Sequence, residues 1–186
     1  DWMADAQERA WRAGLTGIHD FDDPRCMVAL QLLRERGELG IRVVKQINDP
    51  WIEHAHALGI RSGFGDEWLR IGGLKIFADG ALGSLTARMI RPYTGAPGNY
   101  GIVVTDKETI YELVSKASAA GLHATIHAIG DKAVHDVLDV YEAVRSEEAQ
   151  NGIPRHARRH RIEHVQIVHP DDVHRLGELD IIASMQ

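Results

Sequence analysis

Gly72-Gly73-Leu74-Lys75-Ile76-Phe77-Ala78-Asp79-Gly80 is a short apolar run with a lysine inside it and a turn signal at its end. Two later stretches share the design. They are Ala124-Thr125-Ile126-His127-Ala128-Ile129-Gly130-Asp131 and Arg161-Ile162-Glu163-His164-Val165-Gln166. Each reads as a buried strand, and each carries a metal-capable side chain close to its carboxyl end. A histidine among apolar neighbours can be an ordinary core residue or a neutral imidazole ligand for zinc or a similar ion. An ammonium in an apolar strand is costly unless paired. Lys75 is therefore read as a Schiff-base amine, a general base, a carbamylated lysine, or the partner of Asp79 or Glu163 in a salt bridge. Lys75, His127 and His164 make joint sense if three strand ends converge on one metal centre.

Working outward, short apolar runs alternate with helical ones. Helices are expected over 4–13, 24–36, 51–58, 106–120, 131–146 and 170–179, and strands over 15–21, 41–47, 69–77, 122–129, 160–168 and 180–185. In the second helix Val28, Leu32 and Leu33 share one face. In the last, Val173 and Leu176 point inward. Thr105 and Glu108 form a capping-box pattern ahead of the fourth helix. The long connection from Gly80 to Gly101 has the length and turn content of a functional loop. Strands alternating with helices imply parallel pairing with right-handed crossovers. A dinucleotide-binding sheet would show a glycine fingerprint after its first strand, and Thr16-Gly17-Ile18-His19-Asp20 has none. In a (β/α)8 barrel the functional residues stand at the carboxyl ends of several strands, as Lys75, His127 and His164 do. The fold class is thus α/β, a partial (β/α)8 barrel of six strands, with residues 1–186 read as one incomplete barrel domain. A complete barrel takes roughly 250 residues and eight strands.

The composition narrows the classes further. Charged residues make up 26% and hydrophobic ones 44%, and the net charge is −6. No broad basic surface is evident, so no nucleic-acid partner is expected. The single basic run, Arg155 to Arg161, is read as a solvated loop leading into a strand. The lone cysteine, Cys26, allows no internal disulfide and is read as a buried structural thiol, which fits a reducing, cytoplasmic setting. No apolar run reaches the ~18 residues of a membrane span, so no membrane association is expected. No signal peptide is visible at the start. His54-Ala55-His56 has the spacing of a metal pair but falls in a helix, where the two rings would not face one another.

The segment Leu74 to Ser84 resembles the fourth-strand segment of metal-dependent amidohydrolases. His127-Ala128-Ile129-Gly130-Asp131 and Arg159-His160-Arg161-Ile162-Glu163-His164-Val165-Gln166 are similar to that superfamily's fifth and sixth strands. Pro97-Gly98-Asn99-Tyr100-Gly101 resembles a loop of the branch that includes N-acyl-amino-acid deacylases and exoenzyme-regulatory-like proteins. The resemblance runs from about Gly14 to Gln186. It implies a metal-dependent hydrolase of amide or other non-peptide C–N bonds in a small-molecule substrate. Lys75 would be a bridging, carbamylated ligand, and His127 and His164 ligands of a divalent metal, zinc by expectation, with one or two ions in the complete site. Asp79, Glu163 and Asp131 would support the site, Asp131 by capping the following helix.

The departures set further expectations. The family's first-strand H-x-H pair has no counterpart here, and its eighth-strand aspartate, the general base, would lie beyond Gln186. Strands two to seven are then present, both ends read as cut from something longer, and the chain alone would be inactive. Open sheet edges predict a homo-oligomer. A non-catalytic or regulatory relative with the same fold, and a lysine Schiff-base barrel enzyme, are the alternative readings. Arg88, Arg91 and Tyr93 on the long loop are candidate substrate contacts.

Overall fold

Because successive strands are joined by helical crossovers, each can pair beside the one before it, and here every one does. The computed structural model describes residues 2–186. Its strands are β1 (Gly17–Asp20), β2 (Arg42–Asn48), β3 (Leu69–Phe77), β4 (Ala124–Ala128), β5 (Arg161–His164) and β6 (Ile182–Ser184). All neighbours are parallel, and the spatial order is the chain order, β1 through β6. A doubly wound sheet reverses its strand order at a switch point. An unbroken sequential order winds one way only, as a barrel does. The sheet also curls. Arg161 on β5 reaches within 3.4 Å of His19 on β1, although a flat sheet would hold those strands roughly 19 Å apart. The architecture is a curled half-barrel with helices on its convex side.

The helices are α1 (Trp2–Arg12), α2 (Pro24–Glu35), α3 (Ile52–Ala57), α4 (Lys107–Ala119), α5 (Asp131–Gln150) and α6 (Arg175–Glu178). The main core lies between β3, β4, β5 and helices α4 and α5, around Leu74, Ile76, Ile126, Val137, Tyr141 and Ile162. A smaller core under α2 holds Leu30, Leu33, Ile41 and Val43. Among the described residues no helix is long and apolar enough to cross a membrane.

Several expectations need correction. The buried face of α2 is Leu30 and Leu33, whereas Val28 and Leu32 are exposed. The i, i+3 rhythm set by half-buried Met27 turns the stripe away from Val28. Asp106, not Thr105, caps α4, its carboxylate accepting the Thr109 N–H at 2.8 Å. α5 runs one turn past residue 146, to Gln150. The expected helix over 170–179 splits into a 3-10 turn and the short α6, which leaves Val173 exposed while Leu176 packs on the core. The strand expected to reach residue 168 stops at His164, because His164 and Val165 adopt φ of +80° and +47°.

One buried polar network ties the strand starts to the helices. Tyr141 of α5 donates its hydroxyl toward the Ala124 and Arg161 carbonyls, at 3.2 and 2.9 Å. Its ring stacks on His160. His160 accepts the Ala124 N–H at Nδ1 and donates from Nε2 to Glu148. Burial lowers the His160 pKa and so keeps the ring neutral for both roles. Glu148 also accepts from Ser118 and Arg145. Burial alone would raise its pKa, but the hydrogen bonds from His160, Ser118 and Arg145 outweigh that and hold it at about 2. A carboxylate depressed from 4.5 to about 2 contributes stability that is fully present above pH 4.5 and lost as pH falls through 2. That contribution is about 3 kcal/mol. In urea titrations across this range, Glu148→Gln is expected to show a shallower acid loss of stability than the parent chain. Equal slopes would remove Glu148 from the acid response.

Candidate metal centre

The position of Lys75 follows from a slip in strand pairing. Lys45 faces Ile71 across β2 and β3, but Ile47 faces Leu74, so β3 carries one extra residue at Gly72-Gly73. Such a bulge inverts the alternation of faces beyond it. Ile71, Leu74 and Ile76 all reach the core on the helix side. Lys75 therefore turns to the concave side. Glycines are required at the slip. A Cβ on Gly72 would meet the Gln46 side chain at 2.2 Å, and one on Gly73 the His123 carbonyl oxygen at 2.0 Å. Gln46, fully buried on β2, accepts the Gly73 N–H at 2.7 Å and also contacts Thr125 and His19. Nothing in its sequence context singled this residue out. Its only signal was an amide in the β-branched run 41–47.

Among the described residues Lys75 has no ion-pair partner. The expected alternatives are both engaged elsewhere. Glu163 pairs with Arg161 at 2.5 Å, and Asp79 accepts the backbone N–H groups of Arg88, Ile129 and Gly130. The Lys75 amine donates to the Ile76 carbonyl at 2.9 Å and stands 3.8 Å from the centre of the Phe77 ring. Burial pulls its pKa down to about 7, against the opposing pull of Glu163 and Asp49. A neutral amine, the form that can ligate a metal or react with carbon dioxide, is thus accessible near neutral pH.

His127 and His164 come together beside it. Phe77 pairs with His127, and Ala128 with His164, in the strand register. Regular alternation would put His164 on the core side with Ile162. The left-handed backbone at His164 and Val165 breaks it. The two imidazoles meet edge to face, 4.6 Å between centres. His127 Nε2 donates to the Gly80 carbonyl at 2.8 Å, which leaves the lone pair on Nδ1. Burial lowers its pKa, favouring that neutral form. His164 Nδ1 donates to Gln186 Oε1 at 2.7 Å, leaving Nε2. A ring nitrogen held by a carbonyl while the other stays free is the arrangement of a ligating histidine. Two imidazoles, each with one ring nitrogen free, thus stand together on the strands next to the one that carries the Lys75 amine.

The remaining candidates divide clearly. Asp79 is a staple, binding the long loop to the end of β4 and lying 3.5 Å from His127 Nε2. Asp131 does not cap α5; it accepts the Ile90 N–H from the loop. Tyr93 turns back to bond the Ala87 carbonyl. Arg88 lines a separate cavity with Lys107 and Asp136. His54 and His56 sit in the last turn of α3. Asp20, Asp22 and Cys26 bring ligand-capable atoms within 4.8 Å of one another. Lys45 already occupies that cluster, bonding Asp20 at 2.6 Å and the Asp22 carbonyl. Cys26 is only half-buried, but burial and its bond to Asp20 push the thiol up to about 12, so it is no nucleophile.

Residues 1–186, the whole chain, match the Amidohydrolase family. The chain belongs to that family, whose metal-dependent members share the barrel described above. Among its relatives is the putative amidohydrolase YtcJ of Bacillus subtilis (strain 168), 30% identical over 184 residues, covering 95% of this chain and 32% of that protein. An N-substituted formamide deformylase of Arthrobacter pascens is 32% identical over 118 residues, 62% of this chain and 20% of that protein. The crystal structure of an uncharacterized metal-dependent hydrolase from Pyrococcus horikoshii OT3 superposes with a TM-score of 0.85 at 30% identity, covering all of this chain and 36% of that one. The chain thus spans about a third or less of the relatives it matches.

A buried ammonium without a counter-charge is a burden on the metal-free fold. Lys75→Met is expected to raise the stability of the metal-free chain at pH 7 by roughly 1–3 kcal/mol in urea denaturation. A loss of similar size would show that the amine is stabilised by a partner.

Proposed function

We propose that this chain carries the metal-binding half of a metal-dependent hydrolase acting on amide or other non-peptide C–N bonds of a small molecule. Lys75, His127 and His164 are its metal ligands, and the metal is a divalent ion, zinc in the first instance, with one or two ions in the complete site. The observation that carries this is the meeting of two imidazoles, each with one free ring nitrogen, beside a low-pKa lysine with no ion-pair partner among the described residues, toward the carboxyl ends of three adjacent parallel strands. Family membership supports the hydrolase class, and the formamide deformylase among the relatives supports a C–N bond.

When bound, a divalent ion polarises a carbonyl oxygen and makes hydroxide available near neutral pH. The residues of the chain prepare for it. Gly80 and Gln186 set the histidine tautomers. Burial holds Lys75 near neutrality, so that its amine can add carbon dioxide, forming a C–N bond and releasing one proton, to give a carbamate ligand. Asp79 fixes the loop at the mouth of the site. No residue of the chain is assigned as the general base, and the chain alone is expected to bind metal without turnover. The lowered pKa of Lys75 also suits Schiff-base chemistry. Borohydride reduction with a small aldehyde or ketone distinguishes the two readings, with no covalent adduct at Lys75 expected.

Competition with a chelating dye tests the ligand set. His127→Ala and His164→Ala are each expected to weaken zinc binding at least about tenfold. Unchanged affinity in either variant would overturn the assignment. The proposed partner, besides the small-molecule substrate, is a second copy of the chain, since β1 and β6 each pair on one side only. Sedimentation velocity is expected to show self-association that grows with concentration, and a monomer throughout would count against it.

A further inference from the structure

Another cavity opens at the amino end of the strands. Its volume is about 430 Å³, and its walls include His19, Arg70, His123, His156, Arg159 and Arg161. Arg70 stands near the start of β3, His123 just before β4, and Arg161 begins β5. His123 precedes His127 by four residues, which places this cavity roughly 13 Å along the strand from the metal centre. Its lining contains no aspartate or glutamate. In a chain of net charge −6 that is a local reversal of sign.

The three arginines are not equivalent. Arg161 is engaged by Glu163 at 2.5 Å and by Ser184 at 2.6 Å. Arg70 and Arg159 have no ion-pair or hydrogen-bond partner for their guanidinium groups among the described residues, and the rings of His123 and His156 accept and donate nothing. The histidines register the charge around them. Burial first, and then His160, Arg161, His19 and Arg159, hold His123 down to about 4. Burial and then Arg161 lower His19. Two free guanidinium groups on one cavity supply the charge and the forked donors that a dianionic phosphoryl group takes. The cavity exceeds the size of bare phosphate and falls within the range of small-molecule sites.

We propose that this cavity binds the phosphoryl group of a phosphorylated small molecule, held by Arg70 and Arg159 with His123 and His19 as further donors. The proposal does not depend on the metal centre. Its ligand could be a free oligophosphate or an organic phosphate monoester, so calorimetry is run with pyrophosphate and with phenyl phosphate, at about 0.15 M salt to screen loose attraction. Saturable binding of either is expected, and the stronger of the two identifies the source. Arg70→Ala and Arg159→Ala should each weaken it at least about fivefold. Both residues are exposed and have no partner for their guanidinium groups among the described residues, so neither change threatens folding. Zinc affinity should not move. In NMR titrations the His123 and His19 ring pKa values should rise on binding. Absence of saturable binding at about 10 mM ligand, an affinity indifferent to both substitutions, or equal binding of citrate would each overturn the proposal.

Discussion

The extra residue at Gly72-Gly73 and the amide of Gln46 that accepts its N–H are what the rest of the site depends on. A strand has two faces, and Lys75 can occupy the concave one only if the alternation that serves Ile71 is broken before Leu74. The break exposes a backbone donor in a buried place, where an unsatisfied N–H is expensive. Gln46 removes that cost, and its contact with Thr125 carries the same amide across to β4. A second break, the left-handed pair His164 and Val165, brings the other side of the site inward. Two departures from regular strand geometry thus build one cluster of ligand-capable atoms.

The half-barrel separates its tasks by face and by end. The convex face is apolar and carries the packing against α4 and α5. The concave face is polar. Its carboxyl end holds Lys75, His127 and His164, and its amino end is ringed with arginine and histidine. Two acidic groups near the carboxyl end are engaged elsewhere: Asp79 by three backbone N–H groups, and Glu163 by its ion pair with Arg161. That use leaves Lys75 without a direct ion pair among the described residues, and burial pulls its pKa down to about 7.

Three histidines in apolar surroundings fall into two circumstances. His160, in the same basic run that read as a solvated loop, is a fully buried linker between Glu148 and the β4 backbone. His127 and His164 each spend one nitrogen on a carbonyl-type acceptor and keep the other. Nothing in their immediate neighbours separates these cases. The difference lies in partners far away in sequence, Glu148 for one, Gly80 and Gln186 for the others.

Residue pattern by itself determined the alternation of strands and helices, the parallel barrel-like winding, and the three strands that carry Lys75, His127 and His164. These follow from local rules: apolar period, turn residues, and the cost of a charge in an apolar run. Tertiary structure alone decided which way each side chain faces and which of them remain free. The α2 face, the Asp106 cap, the early end of β5 and the Gln46 bridge all depend on neighbours that the linear pattern does not place. Whether Asp79 or Glu163 would pair with Lys75 was open for the same reason. A carboxylate bonds to whichever donors the fold brings nearest, and here those are three backbone amides and an arginine.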